Sequence, residues 1–331
     1  MFGPKSGLRV IAGLAVTALS IATSPAAAQA APETYPSTVK FLSDKFVNGK
    51  ALDGFSPGVP DYGFTLEAML QRKAGGQKLS GQLFIPSKAV LADSTSISKS
   101  IVATYAYGTD KKIKPGVAGK FLFTSVAIGA PNAPLRNAVV ADLKKAISAN
   151  GSIAVSAGNT FDYAWAILGL ATNNQTKLGN TVAINLVSLQ RPDGGFGMDQ
   201  TGDTTQSSAD ATGIALQALS LAKRSASKSQ IVILQNSIIA ASKYLRATQV
   251  AGNHWDAWGD VDVNGTAYAA MGLKAAGANI TAIQGWLKTR VAPTGGLTTP
   301  WSNGQGDVFA TAQGYVPLIG LSYLNLIPVK K

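Results

Sequence analysis

Apolar and polar positions along this chain sort into two kinds of segment. The first kind is apolar on nearly every face and dense in Ala and Gly. It occupies 61–70, more weakly 116–122, and then 162–170, 210–219, 264–273 and 307–315. The segments recur at about fifty residues, a spacing that marks a repeat architecture. A helix that is apolar all round belongs inside a fold. The second kind carries an apolar stripe beside Lys, Arg or Gln, at 39–47, 136–148, 178–189, 230–248 and 281–290. These read as outer helices with one wet face. The stretch 79–107 supplies a further outer helix with a poorer pattern and a Ser/Thr-rich loop at 93–100. Six inner and six outer helices would close into a double-layered ring. No Pro/Gly/Ser-rich linker divides the chain, so 31–331 reads as a single domain, with a short tail after Leu326.

Each outer segment runs into a Gly-containing turn. The sharpest is Gln190-Arg191-Pro192-Asp193-Gly194-Gly195-Phe196-Gly197, with a looser echo over 249–258 and weaker versions at Gly295-Gly296-Leu297 and Asn150-Gly151-Ser152. Glycine supplies the positive φ that a helix end needs. The 190–197 stretch follows no strand and lacks the Lys of a phosphate-cradling loop. It therefore reads as a hairpin connector, with Phe196 packed between neighbours.

These residues carry a family resemblance. Lys243-Tyr244-Leu245-Arg246-Ala247-Thr248-Gln249 followed by Gly252 and Trp255 resembles the repeat of the prenyltransferase and squalene-cyclase superfamily. So does Asn185-Leu186-Val187-Ser188-Leu189-Gln190 followed by Asp193-Gly194-Gly195-Phe196-Gly197, and Asp210-Ala211-Thr212 with 214–219 resembles the inner helix of that repeat. The resemblance covers 36–325 and is strongest over 160–320. It implies an all-α fold, an α/α toroid of about six helical hairpins. Function does not follow from that fold. Zinc-dependent prenyl transfer in the superfamily uses Asp, Cys and His; this chain has no Cys and one His, His254. The Cys-Gly-Glu-Gln of thioester domains is absent. The Asp-x-Asp-Asp of protonating terpene cyclases has its nearest match in Asp260-Val261-Asp262-Val263, which lacks the last carboxylate. The branch left is the binding one, which includes the cobalamin carriers and secreted repeat proteins.

Composition narrows the chemistry further. Without Cys there are no disulfides, thiolate nucleophiles or thiolate metal sites, and a single His argues against zinc sites and His-based triads. No metal and no cofactor is expected. The chain is basic, with 29 Lys+Arg against 17 Asp+Glu, but the cations are scattered. Without an aromatic-interleaved basic block, nucleic acid is not an expected partner; an anionic cell-envelope surface is. Residues 1–30 combine Lys5 and Arg9, an apolar run at 10–23 and a small-x-small site at Ala28-Gln29-Ala30. This reads as a signal peptide cleaved near Ala30, and hence as a secreted protein. No later segment reaches about 18 uninterrupted apolar residues, so the mature chain is expected to lack a transmembrane segment.

Asp162, Asp210, Asn264 and Asp307 open successive inner segments and are expected as N-caps. In a closed ring these starts share one end and form a polar rim. Aromatic residues cluster on or beside the same helices: Tyr62, Phe64, Phe161, Tyr163, Trp165, Tyr268, Phe309 and Tyr315. Together with Asp210 and Asp307, these aromatics, apart from Phe161, are the candidate ligand-binding set, because an aromatic-lined cavity encloses an apolar or planar ligand. Glu67 is the only glutamate besides Glu33 and sits among Leu66, Met69 and Leu70, where it needs a partner. Glu67, Asp260 and Asp262 are the weak catalytic candidates. His254, Trp255, Asp256 and Trp258 form an unusual cluster; two tryptophans in a turn, if exposed, suit sugar rings or a partner, but the resemblance implies that Trp255 packs between neighbouring hairpins and leaves Trp258 open; Trp301 lies in a polar loop. The expected function is a secreted, non-catalytic protein binding an apolar, isoprenoid-like or cofactor-like ligand in a central cavity. The alternatives are a divergent terpene cyclase or carbohydrate-active enzyme using rim or cavity carboxylates, and an extracellular interaction module.

Overall fold

In the computed structural model, residues 35–47, 51–79, 105–107, 111–130, 133–153, 159–198 and 207–328 are described. The expected signal peptide and most of the outer helix expected within 79–107 lie outside them. Six inner helices follow one another: α2 (Tyr62–Ala74), α3 (Pro115–Ala127), α5 (Thr160–Thr172), α7 (Ala209–Lys223), α9 (Val263–Ala275) and α11 (Val308–Leu318). Between them lie the outer helices α1 (Pro36–Asp44), α4 (Ala133–Ala146), α6 (Thr176–Val187), α8 (Lys228–Ala247) and α10 (Thr281–Lys288). Each inner helix packs on the next, and α11 packs on α2, so the ring closes. The protein is an all-α toroid.

The two patterns behave as their periodicity requires. In α7 every residue from Ala211 to Ala222 is buried. In α8 only Leu234, Ser237, Ile238, Ala241 and Leu245 are buried, one stripe along twenty residues. Glycine permits the closest inner contacts. A methyl on Gly119 would overlap the carbonyl of Trp165, and one on Gly213 that of Tyr268, so α3 crosses α5 and α7 crosses α9 at backbone distance.

A recurrent device pins each turn to the helix that follows. Four residues past their N-caps, Thr65, Thr212, Thr266 and Thr311 accept a hydrogen bond from the backbone N–H of Leu52, Phe196, Trp255 and Leu297. On α5 the Tyr163 hydroxyl does the same for Ile153. Phe196 and Trp255 are buried between hairpins. Gly194 has φ +88 and abuts Ala240 of α8, while Gly295, φ +96, abuts Ser37 of α1 and ties the last turn to the first helix.

The caps correct the expected rim. On the inner helices the N-caps with side-chain bonds are Asp61, Asn159, Ser208, Asp262 and Asp307. Only Asp307 was placed rightly. Asp162, Asp210 and Asn264 lie within the first turn instead, because Asn159, Ser208 and Asp262 stand ahead of them and have the short polar side chains that reach the orphan N–H groups.

Candidate functional site

The inner helices are in register about the ring axis. Glu67 follows its N-cap Asp61 by six residues. Lys120, Trp165, Ile214, Tyr268 and Gln313 follow Lys114, Asn159, Ser208, Asp262 and Asp307 by the same interval. Contacts join this layer. Lys120 Nζ donates to Glu67 Oε1. Gln313 Nε2 donates to Glu67 Oε2 at 2.6 Å, and the Tyr268 hydroxyl donates to the same carboxylate. Lys120 also lies 5.1 Å from the centroid of the Trp165 ring. Asn264 Nδ2 supports Gln313 Oε1 at 2.6 Å. Burial alone would lower the Lys120 pKa, but Glu67, Tyr105 and Asp61 together outweigh it and hold the ammonium above its ordinary value. Glu67 is thus the centre of a satisfied buried network.

Beneath this layer the axis is filled. Tyr323 is fully buried there, with ring centroids 5.6 Å from Trp165, 6.2 Å from Phe123 and 6.5 Å from Tyr268. Above it lies the mouth. Two residues past the caps, Phe161, Asp210, Asn264 and Phe309 are half-buried. The equivalent positions on α2 and α3 are Gly63 and Gly116; a methyl there would overlap the Tyr105 hydroxyl and the Asp162 carboxyl. Those two groups complete the floor.

Asp162 is perturbed within that floor. Burial raises its pKa to about 6 against the opposing pull of backbone donors at Asn159 and Gly116. A carboxyl raised this way stabilises the fold most below its ordinary value of 3.8 and progressively less as pH rises towards 6. Asp162→Asn should therefore raise stability at pH 7.5 by about 1–3 kcal/mol and leave it nearly unchanged at pH 4. Urea denaturation at the two pH values checks this, and equal effects at both would contradict it.

The structure divides the expected aromatic set. Tyr62, Phe64 and Phe309 stand at the mouth, with Phe64 and Phe309 in contact at 4.3 Å between centroids. Phe161 meets Tyr268 edge-on at 5.5 Å. Trp165 and Tyr268 are buried in the Glu67 layer. Tyr163 and Tyr315 face the outer layer rather than the axis: the Tyr163 hydroxyl donates to Asn185 of α6, and Tyr315 lies beside Pro36 and Val39 of α1. Each stands two residues, about 200° of helix rotation, from an axis-facing residue, which turns it outward. Asp260 accepts from Val261 N–H and Asp262 caps α9, so both serve the backbone. Lys120, Gln313, Tyr105 and Tyr323 escaped the sequence reading. For Lys120 and Gln313 a common interval from the caps was the signal.

No protein-family model matches this chain, and no curated protein matches it. Solved structures do. One is haptocorrin in complex with Cbi, at 15% identity and a TM-score of 0.55, over 88% of this chain and 68% of that one. Another is unsaturated glucuronyl hydrolase from Streptococcus agalactiae, at 12% identity and a TM-score of 0.49, over 86% of this chain and 88% of that one. At such identity the likeness to haptocorrin concerns the fold, an α/α toroid. Among the described residues no helix is long and apolar enough to cross a membrane.

Proposed function

We propose that this is a secreted, non-catalytic binding protein of the prenyltransferase and squalene-cyclase repeat class, which seats a small ligand on the floor of the ring mouth. The observation that carries the reading is the change in character along the axis. The Glu67 and Tyr323 levels are packed and buried, whereas Phe161, Asp210, Asn264 and Phe309 above them are half-buried and mix flat apolar faces with polar edges. That mixture suits a flat ligand with hydrogen-bonding edges, such as a cofactor-like molecule. The non-catalytic part rests on the acids: Glu67 is bound by Lys120, Gln313 and Tyr268, and Asp260 and Asp262 hold backbone groups. Haptocorrin, a toroid of the same kind, was solved with Cbi, so corrinoids are natural first probes beside isoprenoid lipids. Native mass spectrometry of protein purified from its own culture medium should show a retained small molecule, reduced by Phe161→Ala with Asp210→Ala. No retained mass, with no thermal shift from cobinamide, cyanocobalamin or farnesol, would sink the reading.

A further inference from the structure

Three hairpins stand on the mouth at equivalent places in the repeat, just ahead of the neighbouring helices α9, α11 and α2. Their bases are closed by antiparallel pairs: Asp256 with Val261, Leu297 with Asp307, and Asp53 with Pro60. Each tip carries one large aromatic residue turned to solvent. Trp258 is 101% exposed, Trp301 77% and Phe55 89%. Isolated exposed apolar residues are ordinary, but three aromatics at equivalent tips on consecutive repeats form an arc.

Local structure argues that these aromatics are placed for a purpose. Trp258 and Gly259 are the two loop residues of the hairpin β1 (Asp256–Ala257) to β2 (Asp260–Val261), and both have positive φ, +52 and +87. Turns of this kind favour Asn-Gly. A tryptophan held in the left-handed region and packed against nothing is a backbone outlier without a structural reason, the situation in which function is the explanation to test. Trp301 is held just as firmly, in a 3₁₀ turn (Pro300–Ser302) closed by reciprocal bonds between Thr299 and Ser302 and ended by Asn303 at φ +49. Both side chains are presented on short, fixed turns, which lowers the entropy lost on binding.

Charge selects the occupant. The three hairpins, 52–61, 256–262 and 297–307, contain Asp53, Asp61, Asp256, Asp260, Asp262 and Asp307 and no Lys or Arg, in a chain of net charge +12. Such a surface repels anionic lipid, nucleic acid and acidic polymers. Flat indole faces beside carboxylate, hydroxyl and amide groups match a ligand with apolar sugar faces and hydroxyl edges. We infer that Trp258, Trp301 and Phe55 form a binding arc for a glycan chain without anionic groups along the outer edge of the mouth, meeting the small-ligand floor where Phe55 rests on Phe309 at 5.0 Å between ring centroids.

The test uses the mature chain with cellohexaose, chitohexaose and mannan. Polygalacturonate and phosphatidylcholine–phosphatidylglycerol vesicles serve as anionic and membrane counterparts. Wild type should bind at least one of the three uncharged glycans with a shift in tryptophan emission. Trp258→Asn, which restores the residue the turn prefers, should weaken binding about tenfold while the melting temperature stays level or rises. Adding Trp301→Ala should abolish glycan binding, whereas Phe161→Ala with Asp210→Ala should leave it intact. The inference is overturned if no uncharged glycan binds, if the Trp258/Trp301 double variant binds as wild type does, or if polygalacturonate or vesicles bind more tightly than every uncharged glycan.

Discussion

Glu67→Ala should destabilise the fold by about 3–5 kcal/mol, the range seen when one partner of a buried ion pair is removed. The Glu67 and Lys120 side chains are 3% and 13% exposed. Without the carboxylate, Lys120 would remain desolvated with no anion beside it, and the donors on Gln313 and Tyr268 would lose their acceptor. For a toroid of this size the melting temperature should fall on the order of 5–8 °C. Salt should change the effect little, because buried pairs are weakly screened. Replacing both partners, Glu67→Leu with Lys120→Met, should recover much of the loss, since an apolar pair of similar volume needs no desolvation. The pH dependence has a definite sign. Lys120 is raised above the ordinary 10.5, so on the alkaline side its contribution is complete at neutral pH and is lost as pH rises through the lysine range. Denaturant titrations of the two singles and the double measure the coupling. A loss below about 1 kcal/mol for Glu67→Ala would mean that the pair behaves as an exposed one.

The same network shows what the chain disclosed as sequence and what it withheld. The apolar inner segments and striped outer segments were legible because the difference between one wet face and none is written in every turn of a helix. Glu67 stood out for a related reason: a lone carboxylate among Leu66, Met69 and Leu70 must be paired. Its partners did not stand out. Lys120 is 53 positions away on α3 and Gln313 246 positions away on α11. Both could have been found by aligning the inner helices on their caps. The expected caps Asp162, Asp210 and Asn264 displace three of the six helices by two or three residues from the observed caps Asn159, Ser208 and Asp262. A two-residue slip rotates a helix by more than half a turn and sends the wrong side chain to the axis. Tyr163 joins the expected cavity set only as an aromatic on an inner helix, and its hydroxyl instead makes the outer contact with Asn185. The exposed tips were harder still: the repeat resemblance points to burial of Trp255 but leaves Trp258, three residues later, open. The hairpin geometry separates them.

Tyr323→Ala should be comparably destabilising, by about 3–5 kcal/mol, and should also change what the axis can hold. Tyr323 sits in a one-turn 3₁₀ helix (Tyr323–Asn325) whose ends are closed by Ser322 and Asn325, so the last described turn delivers a ring into the toroid from the end opposite the mouth. Its hydroxyl accepts from Gln71 Nε2 at 3.3 Å and bonds with the Tyr268 hydroxyl, and its N–H donates to Gln217 Oε1 at 3.0 Å. Five inner helices are thereby tied to one residue: α2 through Gln71, α3 through Phe123, α5 through Trp165, α7 through Gln217 and α9 through Tyr268. Removing the ring leaves a space walled by Phe123, Trp165 and Tyr268 that the surrounding helices cannot collapse into, because Gly119 and Gly213 already hold them at backbone contact. Tyr323→Phe keeps the ring and should cost only about 1 kcal/mol, the worth of the hydroxyl bonds. Mostly apolar cavities of this kind accept small aromatic molecules. Phenol should therefore raise the melting temperature of Tyr323→Ala and leave wild type unchanged. If phenol stabilises neither, or if Tyr323→Ala costs no more than Tyr323→Phe, the chain end does not stopper the ring.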